Sequence, residues 1–214
     1  MTRILLVRHG ETEWNVIERV QGWTDTKLND VGVSQAAALA ERLRSTPITA
    51  VYSSDSSRAV QTAAPTAEQH GLVVQTLPEL REKGFGVWEG LTKDDLERDY
   101  TDLWHRYHVL HELDSVIPGG ETYTQVLDRM REALCRILGA HPGADDTVLV
   151  ASHGGSARAF VLFALQAPLS TLQRLRLDNT SLSRLDFRGV ADGRVIFLND
   201  TSHVADMTPK GATE

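Results

Sequence analysis

"LLVRHGETEWN", residues 5–15, runs from an apolar stretch straight into an arginine, a histidine and a glycine. Leu5, Leu6 and Val7 continue a run that begins at Ile4, the pattern of a strand buried on both faces. The end of such a strand is a costly place for Arg8 and His9 unless a ligand or partner meets them. The arrangement returns downstream, where the run from Thr147 to Ala151 leads into Ser152-His153-Gly154. Two histidines leaving the carboxyl ends of strands in one sheet would face one crevice, and the glycine after each lets backbone approach a ligand closely.

The rest of the chain supplies the sheet those strands need. Further strand-like runs occur at Ile48–Tyr52, Leu72–Leu77, Ser181–Phe187 and Arg194–Leu198, with "DGR" at 192–194 as the expected turn of a final antiparallel pair. Between them lie helical patterns. Residues 31–43 place Val31, Ala38, Leu39 and Leu43 on a 3.6-residue period. Ser54 or Asp55 can cap a helix reaching about Gln69, with Gly71 as its stop. Thr122…Gln125 forms a capping box for a helix to about Leu138, with Val126, Leu127, Met130, Leu134, Ile137 and Leu138 at core spacing. "GGSARAFVLFALQ" reads as one more helix. This alternation predicts an α/β fold with a mostly parallel central sheet and helices on both faces. It breaks at about residues 85–120, a polar and aromatic stretch read as a helical insertion within a single domain spanning 1–214.

Composition removes several function classes. At 214 residues, with 41% hydrophobic and 24% charged residues, the chain is globular rather than disordered. Lys plus Arg number 22 against 29 Asp plus Glu, a net charge of −7 with no basic cluster, so nucleic acid is not an expected partner. No apolar run is long enough to span a membrane, and the lone Cys135 has no partner for a disulfide, so a soluble cytoplasmic protein is expected.

The crevice would gather more than two histidines. Arg8 adjoins His9, and Arg58 falls in the first turn of the helix entered by "SSDSSRA", where free backbone N–H groups already favour an anion. Arginine's planar fork suits phosphate oxygens. Asn15 and Gln21 add neutral donors, and Glu82 in "LREKGFGVWEG" adds a carboxyl group at the edge of the insertion. Each has an ordinary alternative: a structural histidine, a surface arginine, Asn15 as a helix cap, Glu82 as a turn carboxylate. Their joint placement weakens those alternatives. Metal binding fits poorly, because two arginines would repel the cation and the chain has neither HExxH nor a cysteine pair. His105, His108 and His111, three residues apart, read as a solvated or pocket-facing stripe that drifts round a helix.

At these residues the chain resembles the histidine phosphatase superfamily, the phosphoglycerate-mutase-like enzymes. "RHGETEWN", "QGWTDTKLNDVGVSQA", "VYSSDSSRAVQTA", "LREKGFGVWEG", "PGGET", "VLVASHGG" and "NTSLSRLDF" look like family blocks in family order, over nearly the whole chain. The resemblance implies a three-layer α/β/α sandwich with a helical cap, a phosphohistidine intermediate and no metal or other cofactor. It makes His9 the nucleophile and Glu82 the acid and then the base. Arg8, Arg58, His153 and Asn15 would hold the phosphoryl oxygens, with Gln21, Gly22 and Gly154 also binding substrate. The chemistry agrees, since in-line attack needs a neutral imidazole and phosphoryl transfer is carried mainly by fixed donors around the equatorial oxygens.

Water or a second hydroxyl could take the phosphoryl group. Mutases of the family carry paired arginines in the insertion, an HGN after the second histidine strand, and threonine where Gln21 stands. Here residues 101–118 hold only Arg106, and the second motif is His153-Gly154-Gly155. The chain thus looks like the phosphatase branch, acting on small-molecule phosphate monoesters. A mutase and a non-catalytic phospho-ligand binder are the alternatives, the second disfavoured because both His9 and Glu82 are present. Trp88, Tyr100, Trp104 and Tyr107 would line the substrate pocket or form the insertion's own core. Glu121 matches a family block without an evident role, and Cys135 has no activating base.

Overall fold

A computed structural model describes residues 1–143 and 146–207. Six strands form one sheet: β1 (Thr2–Arg8), β2 (Ala50–Ser53), β3 (Val74–Thr76), β4 (Thr147–Ser152), β5 (Leu182–Gly189) and β6 (Asp192–Asp200). Their order is β3-β2-β4-β1-β5-β6. The first four in that order run parallel, while β5 is antiparallel to β1 and β6 to β5. The expected α/β fold with a mostly parallel sheet is therefore the observed one.

Strand alternation divides the core in two. Ile4, Leu6, Tyr52, Val148 and Val150 face α6 (Tyr123–Ala140) and α7 (Gly154–Leu165), while Leu5, Val7, Val51, Leu149 and Ala151 face α2 (Asp30–Leu43) and α3 (Ser57–Gln69). Both sides are fully apolar because successive side chains on a strand point to opposite faces. β1 and β4 are neighbours, with Arg8 opposite Ser152, yet β1 leads toward α2 on one face and β4 into α7 on the other. That divergence opens a crevice at their carboxyl ends. Thr122 caps α6 through the expected box with Gln125, and α6 buries Val126, Met130, Leu134 and Ile137. Among the described residues no helix is long and apolar enough to cross a membrane.

Several local expectations are corrected. Strand β2 starts at Ala50 rather than Ile48, whose amide is spent on a tight turn to Thr46. Strand β3 shrinks to three residues, because the Leu72 amide closes the end of α3 on Ala67. Neither Ser54 nor Asp55 caps α3. Ser56 is the N-cap residue, and the Asp25 carboxylate, remote in sequence, accepts from the Ser57 amide and hydroxyl. Val31 lies on the exposed side of α2, whose buried face is Gly32, Gln35, Ala36, Leu39, Ala40 and Leu43. "DGR" belongs to β6, and the chain reverses at Val190-Ala191; Gly193 is small because Phe187 and Ala164 pack on it.

The insertion is helical in pieces: α4 (Lys93–Asp99), α5 (Thr101–Trp104) and a π-helical turn over His105–Val109. His111 lies beyond that turn at φ +59°, so the three-residue histidine stripe does not form on one helix. Trp88, 1% exposed, is the insertion's central ring, with Tyr100, Trp104 and Tyr107 within 6.4 Å of it.

Candidate active site

The ladder between β1 and β4 fixes the two histidines. The His9 amide donates to Ser152 O at 2.9 Å, and the rings of His9 and His153 meet edge to face with centroids 5.2 Å apart. Both are buried. His9 Nδ1 lies 2.7 Å from Gly10 O, so the proton sits on Nδ1 and the Nε2 lone pair is free. His153 is the opposite tautomer. Its Nδ1 accepts from Arg58 Nε at 3.2 Å, leaving a buried Nε2–H with no partner. Burial first, then Arg58, holds both imidazoles well below their ordinary pKa and therefore neutral.

A polar cavity of about 270 Å³ opens above them, lined by Arg8, His9, Asn15, Gln21, Gly22, Arg58, Glu82 and Gly154 among others. With the buried His153 beneath, these are all nine residues singled out in the sequence. Arg8 spends one nitrogen on Leu177 O, while its Nε is buried and unpartnered. Arg58 is held by Gly22 O and Thr24 O at 2.8 and 3.0 Å. Gly22 is at φ +56°, and a Cβ there would strike Glu89, so this turn requires glycine. Thr12, not Asn15, is the N-cap residue of α1 (Glu13–Val16); Asn15 is the third residue of that helix, its Oδ1 accepts from the Thr12 amide in a capping box, and it also lines the cavity. Gln21 does the same, its Oε1 accepting from Thr26.

Glu82 lies across the start of α7. Its two oxygens accept from the amides of Gly155 and Ser156 and from Lys83 N, all at 2.8–2.9 Å. A Cβ on Gly155 would stand 2.6 Å from Glu82 Oε1, so the glycine leaves that seat open. Phe85 shares the cavity with Glu82, whereas Trp88 lines an adjoining chamber.

Five residues to which the sequence reading gave no role support the site. Glu121 receives the Arg129 guanidinium side-on, two nitrogens to two oxygens, and accepts from Gly84 N. Arg129 also donates to the carbonyls of Glu79, Arg81 and Glu82, so the pair clamps the segment carrying Glu82. Glu89 ties Trp23 and Thr24 to Phe85. Asn179 bonds His9 O and Asn15 Oδ1, while Thr180, buried at φ +59°, donates from its amide to Arg8 O. Glu121 lies within "PGGET", Glu89 within "LREKGFGVWEG" and Asn179 and Thr180 within "NTSLSRLDF", so of these only Arg129 stands outside every block quoted above.

Among the described residues no group of three or more His, Cys, Asp or Glu could hold a metal ion. The arrangement presents a free imidazole lone pair, several cationic or neutral donors aimed at one point, and a single carboxyl group.

The chain is similar to several known proteins. The profile of the histidine phosphatase superfamily (branch 1) matches residues 4–201. A protein of Yersinia pestis called probable phosphoglycerate mutase GpmB is 38% identical over 208 residues, 95% of each chain. Mycobacterial glucosyl-3-phosphoglycerate phosphatase superposes with a TM-score of 0.84 at 31% identity, over 94% of this chain and 99% of that one. The α-ribazole phosphatase of Shigella flexneri gives 0.83 at 26% identity, over 93% and 96%.

Proposed function

The chain belongs to the histidine phosphatase superfamily, and from that premise we propose that it hydrolyses phosphate monoesters of small metabolites through a phosphohistidine at His9, without a metal. The observation that carries this reading is the pairing of opposite tautomers, a lone pair on His9 Nε2 beside an unpartnered N–H on His153 Nε2.

A phosphoryl group seated between them meets a nucleophile and a donor at once. Arg8 Nε and the Arg58 guanidinium add positive charge around its equatorial oxygens, where charge is spread in the transition state. His9 Nε2 attacks phosphorus in line, the ester oxygen leaves with a proton from Glu82, and the resulting carboxylate then takes a proton from the water that attacks phosphohistidine. Glu82 reaches these positions from its seat on the start of α7.

The mutase alternative is supported by the name of the Yersinia relative. Against it, the insertion gives no arginine to either cavity. Arg106 is exposed and paired with Glu112, and Arg98 is paired with Asp95 and Asp99. Phosphate release from a panel of monoesters in EDTA, with His9→Ala beside the wild type, tests the reading. Release by the wild type alone is expected. Conversion of 3-phosphoglycerate to 2-phosphoglycerate without release would replace hydrolase with mutase.

A further inference from the structure

The outermost strand on the β5 side reaches the nucleophile through a short segment, Asp178 to Thr180. At its end β6 passes through Asn199, whose φ is +55°, and the turn that follows carries His203. Asn199 and Asp178 bond in both directions: Asn199 Oδ1 accepts from the Asp178 amide at 2.7 Å, and its Nδ2 donates to Asp178 Oδ2 at 2.8 Å. His203 takes the other end, with Nε2 3.1 Å from Thr180 O. Facing a carbonyl, that nitrogen must carry the hydrogen. Burial holds the imidazole below its ordinary pKa and so neutral, and its buried Nδ1 meets no donor among the described residues.

Thr180 is the anomaly of this segment. It is fully buried at φ +59°, a left-handed conformation that crowds a β-branched side chain. Such a backbone persists only where its surroundings hold it. His203 holds the carbonyl, and Gln35 Oε1 accepts from Thr180 Oγ1 at 3.1 Å. What the conformation gains is aim. The Thr180 amide donates to Arg8 O at 3.0 Å and to His9 O at 3.3 Å, and Asn179 Nδ2 reaches His9 O at 3.0 Å. The ladder between β1 and β5 has its last pair at Val7 and Leu182, so these bonds carry it two residues further, to the nucleophile. His9 is thereby held by its amide on the β4 side and by its carbonyl on the β5 side.

We infer that His203, which lies outside the cavity, is a positioning residue for the nucleophile: by keeping Thr180 left-handed it fixes the carbonyls of Arg8 and His9, and with them the line of attack of the His9 imidazole. The inference rests on His9 being the nucleophile and adds a residue to that reading. Without the strap, Thr180 relaxes toward negative φ and its amide swings off Arg8 O. A small misplacement of the attacking atom is costly in rate, whereas the groups that bind phosphate stay where they are.

Side-chain amides separate this contact from mere volume. A glutamine amide nitrogen stands about where Nε2 of histidine stands, and an asparagine's about where Nδ1 does. With p-nitrophenyl phosphate, His203→Leu and His203→Asn should lose about tenfold in kcat with KM within about threefold of the wild type, while His203→Gln keeps at least about a third of kcat. Thr180→Gly supplies a second measurement, since glycine takes positive φ without strain. His203→Leu should cost at least about threefold less in kcat when made together with Thr180→Gly than when made alone, a coupling that general loosening of the fold would not produce. If His203→Leu does not fold, the contrast between His203→Asn and His203→Gln decides. Wild-type kcat in His203→Asn, equal losses in the asparagine and glutamine variants, or no coupling to Thr180→Gly overturns the strap and leaves the hydrolase reading standing. Phosphate release by His9→Ala at the wild-type rate, or none by the wild type, overturns the nucleophile assignment and the inference with it.

Discussion

Arg58 donates from Nε to Nδ1 of His153 across 3.2 Å, and this contact decides where that imidazole keeps its proton. A guanidinium can only donate, so His153 must accept at Nδ1 and carry hydrogen on Nε2. His9, facing a carbonyl through Nδ1, is the reverse.

Nitrogen-resolved NMR of the imidazoles should therefore show His9 as the Nδ1–H and His153 as the Nε2–H tautomer, both neutral at pH 6. The consequence for stability has a definite sign. Folded His9 and His153 bind protons less readily than their unfolded counterparts, whose ordinary value is 6.5. Stability of the free enzyme should fall as pH drops below that value, by up to about 1.4 kcal/mol per pH unit for each histidine. A slope that does not flatten in His153→Asn would argue that His153 is charged in the fold.

Gly155→Ala puts a methyl group where Glu82 Oε1 now sits, 2.6 Å from the ideal Cβ. The carboxylate is the flexible partner, so the fold should survive with little loss of Tm. Alkyl esters, which need a protonated leaving group, should lose at least about tenfold in kcat, and p-nitrophenyl phosphate much less. Glu82→Gln should show the same split, larger. Equal losses on both ester types would count against Glu82 as the acid.

Arg129 touches no cavity, yet its removal should reach the chemistry. Its side chain is 15% exposed and satisfies three carbonyls as well as Glu121. Arg129→Ala leaves those acceptors and a carboxylate unpaired, at a cost of about 2–4 kcal/mol in chemical denaturation. Below the melting transition kcat should still drop, because the segment carrying Glu82 is loosened. Unchanged kcat in folded Arg129→Ala would confine the clamp to stability.

Lys83 is a buried cation without a hydrogen bond, caged by the rings of Phe85, Tyr107 and Tyr123 at 4.6–5.3 Å. Burial pushes its ammonium down to about 8. Above that pH the folded form sheds a proton that the unfolded chain keeps until about 10.4, so wild-type stability gains across that window. Lys83→Met should be more stable than the wild type at pH 7, by on the order of 1–3 kcal/mol. The gap should close toward pH 10. A constant gap from pH 7 to pH 10 would mean that Lys83 titrates normally.

The sheet and the gathering of nine candidate residues at one cavity were legible because most of their signals are local. His9 and His153 each follow an apolar run and precede a glycine, and Arg58 opens a helix. What escaped is long-range. Asp25 caps a helix 32 residues away, and Arg129 grips carbonyls 47 to 50 positions upstream. Neither leaves a periodic or spaced trace, since a backbone carbonyl looks the same whatever residue bears it. Gly193 misled the turn assignment because a glycine needed for packing reads like one needed for a bend.

The 5.2 Å between the two imidazoles is close to the 4.7–4.9 Å that separates any two adjacent strands. The separation of the two rings thus follows the spacing of the strands that carry them, a unit of the sheet's own lattice. Remodelling which ester fits is consequently a matter for the walls alone. Libraries that vary Val20, Trp104, His108 and Leu113 can change the guest while the ruler that measures phosphorus stays calibrated.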